Sequence, residues 1–346
     1  MRKTDQIRSF ILDNVDQHAG DITSLVATTF SISRQAAHQH VDKLVKENSL
    51  QIEGTTRDRK YKLVPILEQS WSFALENLAE DKVWRESIAP VLRDLPGNVI
   101  KICQYGLTEM VNNVIDHSDG QRLDISIIRT PATIEFHVID NGIGIFNKIK
   151  QELDLEDVLH AILELSKGKL TTDPTHHSGE GIFFTSRVFD KFSIKSGELY
   201  FYHNSKDEHE ENPDWLLETK GKIFDGTFIS MTISVNTKRT TREVFDYYSV
   251  DGDFGFSKTH IPVFLAQYGG ENLISRSQAK RLLTRFERFK EIVLDFQDVD
   301  SIGQAFADEI FRVFKNVHPE VHLSAVRTND AVKGMILRVT ADELKN

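Results

Sequence analysis

The chain has 346 residues, 40% hydrophobic, 27% charged and 9% aromatic, which is enough apolar material for two or three packed domains and excludes wholesale disorder. A formal net charge of −10 excludes a protein that coats nucleic acid over its whole surface, though not a small basic module within it. One cysteine, Cys103, excludes a disulfide framework and a cysteine-built metal site, and the sequence shows neither an apolar run of membrane length nor a signal peptide, so a cytoplasmic protein with no membrane partner is expected.

Residues 1 to about 65 predict short helices followed by a hairpin. Ile7, Phe10, Ile11 and Val15 fall on one helical face. Gly20-Asp21 interrupts that pattern, and Asp21 is placed to cap a second short helix through Ala27. After the turn Ser31-Ile32-Ser33, Ser33 is placed to cap a third helix, Arg34 to Glu47, with Ala37, Val41, Leu44 and Val45 as its apolar stripe. Leu50 to Gly54 and Lys60 to Val64 alternate as two strands around a polar tip, Thr55 to Arg59. This order resembles a winged helix-turn-helix. The resemblance implies double-stranded DNA as a partner, read by a homodimer on paired half-sites. Ser33, Arg34, Gln35 and His38, with Gln39 beside them, would face the major groove, while Arg57, Arg59 and Lys60 would grip phosphate as a wing. The segment is slightly basic and the remainder acidic, an asymmetry that favours nucleic acid. The alternative is a module for dimerisation or protein contacts.

Pro65 ends the hairpin, and Trp71, Phe73, Leu75 and Leu78 read as a helical lead-in to a second domain, residues 66–240. Three short segments carry its chemistry. Glu109 and Asn113 are four apart and share a helical face, with His117 one turn further. A carboxylate beside an amide oxygen can serve a magnesium ion and a water molecule together, although the spacing alone is common on solvated helices. Thr133 to Ile139 predicts a strand ending at Asp140, followed by Asn141-Gly142-Ile143-Gly144. A carboxylate there can accept a hydrogen bond from an exocyclic amine such as adenine's, and the glycines allow close backbone approach; a plain tight turn is the alternative. Ser178-Gly179-Glu180-Gly181-Ile182 then opens a helical run, Phe183 to Phe189, whose unpaired N–H groups suit phosphate.

In this order the three segments resemble the N, G1 and G2 boxes of the GHKL (Bergerat-fold) superfamily of ATPases and kinases, and Gly226-Thr227 before the strand Phe228 to Ile233 resembles its final threonine element. The resemblance covers residues 80 to about 235 and implies an α/β sandwich with a mixed sheet, binding ATP with Mg²⁺. It implies that Glu109 is catalytic and activates water, that Asn113 holds Mg²⁺, and that Asp140 reads the adenine amine. Gly142 and Gly144 would shape the base pocket, Gly179 and Gly181 would contact phosphates, and Thr227 would support Asp140 through water. Phe146 to Ser178 would be the ATP lid, with a helix Leu155 to Leu165 and with Lys167 or Lys169 able to reach a γ-phosphate. His176 and His177 lack a carboxylate partner at ligand spacing and are read as lid residues. Asn204 to Pro213 is polar and acidic, an expected exposed loop.

The third segment, residues 258–346, alternates strands (His260 to Ala266, Glu291 to Phe296, Val321 to Val326) with helices (Ser277 to Phe289, Ala305 to Val317), the pattern of a small α/β layer. Ile292 to Gly303 resembles the strand-loop-helix of STAS domains. Where those domains carry an acceptor hydroxyl this chain has Ile302, with Ser301 one residue earlier. A docking surface for a protein partner is therefore expected before phosphorylation. Val64 to Val99 contains no histidine, so the phosphoacceptor helix of a histidine kinase is missing, and His117 is read as structural. The whole predicts a multidomain α/β protein: winged helix, GHKL domain and STAS-like domain. Its expected function is that of an ATP-binding regulator, a slow Mg²⁺-dependent ATPase coupling nucleotide state to DNA or partner binding. A serine/threonine kinase of the anti-sigma type and a non-catalytic ATP-sensing adapter are the alternatives.

Overall fold

The computed structural model describes residues 2–55, 58–170, 179–205, 214–218, 224–250, 255–267 and 272–341. Three sheets organise them: a two-stranded hairpin, a seven-stranded sheet and a three-stranded sheet. The first belongs to a unit of three helices, α1 (Lys3–Asn14), α2 (Ile22–Thr29) and α3 (Arg34–Lys46), followed by β1 (Leu50–Glu53) and β2 (Lys60–Leu63). Ile7, Ile11, Val15, Val26, Val41 and Leu44 close its core. The Ser33 hydroxyl accepts from the Ala36 amide at 3.1 Å and caps α3. Asp21 does not cap α2; its carboxylate instead meets His18 Nδ1 at 3.1 Å.

The helical lead-in is corrected to a strand, β3 (Leu67–Ala74). Trp71 and Phe73 are two residues apart, which on a pleated strand puts both rings on the core side while Glu68, Ser70 and Ser72 face outward. Leu75 and Leu78 lie in the turn that follows, joined by a 3.1 Å backbone bond. A short helix, α4 (Glu80–Val83), runs through a wider π-type turn and a 3₁₀ turn into α5 (Gly97–His117). Ile102, Met110, Val111 and Val114 bury one face of α5, leaving Glu109 and Asn113 on its other side. Gly106 lets this helix pass close over the Phe189 ring, which any Cβ there would strike.

Next come β4 (Arg122–Arg129), β5 (Thr133–Asp140), α6 (Ile145–Glu152), α7 (Leu159–Lys167), α8 (Gly181–Val188), β6 (Lys191–Gly197), β7 (Leu199–Asn204), β8 (Asp214–Glu218), β9 (Phe224–Ser234) and α9 (Thr241–Tyr247). The sheet order is β3-β4-β5-β9-β6-β7-β8. Every pairing among these strands is antiparallel, which corrects the expected mixed sheet. The reason is β9. Strands β5 and β6 run in the same direction across the α8 crossover, but β9 sits between them and is antiparallel to both. Helix α7 starts four residues later than expected. Asn204 ends β7 and is buried rather than opening an exposed loop, and residues 206–213 lie outside the described ones.

The C-terminal part comprises β10 (Lys258–Pro262), α10 (Arg276–Leu283), β11 (Glu291–Asp295), α11 (Gln304–Asp308), α12 (Lys315–Val317), β12 (His322–Val326) and α13 (Asp330–Ala341). Its three strands pair in parallel, in chain order. Val263 to Ala266, expected as strand, is a 3₁₀ turn beginning after Pro262, which has no N–H to extend a ladder. The helix expected to reach Phe289 stops at Leu283, because Arg285 adopts a left-handed φ of 66°. This core is continuous with that of the seven-stranded sheet, whereas the N-terminal unit has its own. The protein is thus a mixed α/β, multidomain chain, and among the described residues no helix is long and apolar enough to cross a membrane.

Candidate functional site

A cavity of about 340 Å³ lies between α5, α6 and the start of α8, with Asp140 and Thr227 from the sheet at its floor. It gathers Glu109, Asn113, Asp140, Gly179, Gly181 and Thr227 from segments far apart in sequence. Asp140 is the last residue of β5 and only 5% exposed. One of its oxygens accepts from the amides of Gly142 at 2.8 Å and Thr227 at 3.3 Å, so the support from Thr227 includes a direct amide bond. Burial pushes the Asp140 carboxyl above its ordinary value, and these donors partly oppose the rise. The Thr227 hydroxyl accepts from the Ile145 amide at 3.0 Å, tying the first turn of α6 to β9. Gly142 and Gly144 do not line the cavity; they let its floor fold. A Cβ on Gly142 would strike the Ser118 carbonyl, and one on Gly144, at φ 85°, would strike the Ser196 hydroxyl.

The Glu109 carboxylate lies against Gly181, at the point where α8 begins and where any side chain would collide with it. Tyr105, one turn earlier, has its phenol pushed well up by burial and then by the negative charges of Glu109 and Glu180. Asn113 contributes a buried Nδ2 with no hydrogen-bond partner among the described residues, an exception that calls for an explanation in a folded chain. A half-turn of the amide exchanges this nitrogen for its oxygen, so the position suits either a ligand acceptor or a metal ion. Gly179, at φ 68°, packs on the Leu170 backbone, and the Leu170 amide donates to the Gly179 carbonyl at 3.0 Å. Among the described residues, no group of three His, Cys, Asp or Glu side chains is arranged to hold a metal by itself.

Two site assignments are corrected. Lys167 and Lys169 are not in the cavity. Lys167 is fully buried against the C-terminal domain, and Lys169 Nζ donates to the Arg288 carbonyl at 2.9 Å while sitting over the Phe289 ring. The physical cause is that α7 packs its charged side on α10 and β10, so Lys167 points away from the cavity while Leu165 of the same turn lines it. His176 and His177 lie outside the described residues. In exchange, His117, read as structural, lines the cavity, as do Lys148, Ile149 and Glu152. Lys148 Nζ is 2.7 Å from Asp119 and 3.4 Å from Glu152. The spacing Ile145, Lys148, Ile149, Glu152 is that of one helical face and is visible in the sequence.

On the N-terminal unit, Arg34, Gln35 and Gln39 are exposed along α3, and Arg59 and Lys60 are exposed where β2 begins. Ser33 uses its hydroxyl oxygen as the helix cap, and His38 is half-buried with Nδ1 2.8 Å from Asp42. Arg57 lies outside the described residues. In the C-terminal domain Ile302 is buried and bridges to Leu273, while Ser301 is exposed. Asp295, buried at the end of β11, accepts from Arg327 and lies 3.1 Å from His260 Nε2.

No curated protein matches the chain. The family described as a STAS-like domain of unknown function (DUF4325) matches residues 278–333, a stretch that spans most of α10, β11, α11, α12 and β12. The molecule is therefore a multidomain α/β protein that carries a STAS-like domain at its C-terminal end.

Proposed function

We propose that the chain is an ATP-responsive regulator whose central domain, residues 66–240, is a GHKL-type site for Mg²⁺-ATP. The observation that carries this reading is the convergence on one cavity of a buried strand-end carboxylate, an orphaned asparagine amide and a glycine-opened helix. Asp140, fixed by two backbone amides, accepts from the adenine amine. The first amides of α8, at Gly181 and beyond, face the phosphates with the positive end of the helix dipole. Asn113 would hold Mg²⁺, which supplies charge neutralisation to the phosphates when bound. Glu109, placed beside the α8 entrance, takes a proton from a water attacking the terminal phosphate, a general-base role that supports slow hydrolysis.

The flanking units give the nucleotide something to regulate. The N-terminal unit is read as a winged helix that binds duplex DNA as a dimer through α3 and the β1–β2 hairpin, supported by exposed Arg34, Gln35, Arg59 and Lys60. The STAS-like domain is read as a docking surface. A second reading, protein kinase activity, is favoured by one observation: Ser301 presents an exposed hydroxyl beside buried Ile302.

The test is ATP binding and phosphate release with Mg²⁺ for wild type, Asp140→Asn and Glu109→Ala. The expected pattern is lost binding in the first variant and retained binding with stalled release in the second. Wild type that binds no ATP sinks the reading. With γ-labelled ATP, label kept on Ser301 selects the kinase, and free phosphate alone selects the ATPase.

A further inference from the structure

Helix α7 has different neighbours on its two sides. Leu165 in its last turn, and Leu170 just beyond it, line the cavity. Glu164 and Lys167 point the other way, into the C-terminal domain. An ammonium has three protons to donate, and Lys167 gives them to Glu164 Oε1 at 2.6 Å and to the carbonyls of Arg281 and Thr284, each at 3.1 Å. The second Glu164 oxygen accepts from Arg285 Nε at 2.7 Å. Arg285 also donates to the carbonyls of Glu164 and Lys169, both at 2.9 Å. From β10, the Thr259 hydroxyl donates to the Lys167 carbonyl at 2.8 Å. One turn earlier on the same side, Arg281 donates to His160 Nε2 at 2.9 Å.

This is not a surface contact. The Lys167 side chain is 0% exposed and that of Glu164 5%. Buried charges are strongly unfavourable unless paired and fully hydrogen-bonded, and such a set is satisfied in one arrangement only. Arg285 holds its place from a left-handed backbone that residues with a Cβ rarely adopt. A second connection runs through rings. Phe183, which lines the cavity, packs 4.4 Å from Phe256, and Phe256 lies 5.4 Å from Phe289 at the entry to β11.

We infer that the STAS-like domain is a positioning wall of the nucleotide site: the Glu164–Lys167–Arg285 clamp sets α7, so ATP affinity and the hold on α10 are linked. The inference rests on the ATP reading proposed above. Linkage is reciprocal. Bound nucleotide strengthens the grip of α7 on residues 276–288, and anything that draws those residues away weakens nucleotide binding by the same factor.

The experiment uses the full chain. Hydrogen–deuterium exchange is followed with and without Mg²⁺-ATP in peptides covering 159–170 and 276–289, for wild type and Asp140→Asn. ATP titrations are run on Arg285→Met and on the triple change Glu164→Gln, Lys167→Met and Arg285→Met, which removes the charges as a set. ATP is expected to slow exchange over 276–289 in wild type and not in Asp140→Asn. Each clamp variant is expected to bind ATP about tenfold more weakly, within the range usual for coupled sites. Wild type that binds ATP with exchange over 276–289 unchanged overturns the linkage and leaves the ATP reading standing. So do clamp variants with native circular dichroism and undiminished ATP affinity. Wild type that binds no ATP removes both. Where a variant does not fold, the wild-type exchange result decides alone.

Discussion

The two ends of the chain are joined to the seven-stranded sheet in opposite ways. The N-terminal unit closes its own apolar core and takes only Ala132, in the β4–β5 turn, from the rest of the described residues. Around that joint the groups are polar: the Asp16 carboxyl is pushed up by burial, with Lys191 and Glu135 acting on it in opposite directions. The C-terminal domain instead shares one continuous core with the sheet and adds a buried set of three charges. A joint made of small contacts between separately cored units changes geometry at little cost. A joint made of buried, mutually satisfied charges holds in one register or fails. Placement of a domain in the chain says nothing about which kind it has; the desolvated groups do.

The largest expected effect comes from breaking the C-terminal joint. Glu164→Ala leaves the buried Lys167 and Arg285 without their shared carboxylate, and it is expected to lower unfolding free energy by about 3–5 kcal/mol. Chemical denaturation measures this, and a decrease below about 1 kcal/mol would make that joint as soft as the other. Next is Asp140→Asn, expected to reduce ATP affinity at least 100-fold, about 2.7 kcal/mol, by calorimetric titration. On the N-terminal side, Arg34→Ala with Arg59→Ala touches exposed side chains only. Stability should stay within about 0.5 kcal/mol. Duplex affinity should fall, with the salt slope shrinking by about 0.9 for each phosphate no longer neutralised; an unchanged slope assigns the unit to protein contacts.

A pH titration separates site from joint. Burial holds the folded Asp140 carboxyl above the ordinary aspartate value. In the proposed ATP site its ionised form is the acceptor, so ATP affinity should decline on acidification, starting above the ordinary aspartate value. Its contribution to folding has the opposite sign: it is present below the unfolded value and lost as pH rises through the raised one. Affinity that stays flat down to about pH 4, near the usual value for a free aspartate, would remove Asp140 from the contact. The smallest effect belongs to deletion of residues 2–64, which should leave ATP affinity unchanged, because that core is separate.

Local features of the site are legible in the sequence, and long-range ones are not. Glu109, Asn113, Asp140, Gly179, Gly181 and Thr227 can be grouped from sequence because each sits in a short segment with its own backbone reason, and the structure brings them to one cavity. The burial of Lys167 is hidden because it depends on carbonyls 114 and 117 residues away. Strand β3 is ambiguous because Trp71 and Phe73 follow a period of two while Leu75 and Leu78 suggest a helical step. No local pattern announces that β9 inserts between β5 and β6, so the fully antiparallel sheet cannot be read from the segments singly.

That insertion also governs the order in which the protein is made. The amide of Thr227 reaches Asp140 across 87 residues. At a synthesis rate of about 5–20 residues per second, the strand-end carboxylate waits roughly 4–17 s for its second backbone donor. During that interval β5 and β6 each present an open edge toward the place β9 will fill, and open edges recruit foreign strands. The cavity offers the growing chain no ligand-held refuge either, since Thr227 is missing from its floor until β9 arrives. Ribosome-bound chains that stop between residues 197 and 224 are therefore the form of this protein most exposed to aggregation and to chaperone capture.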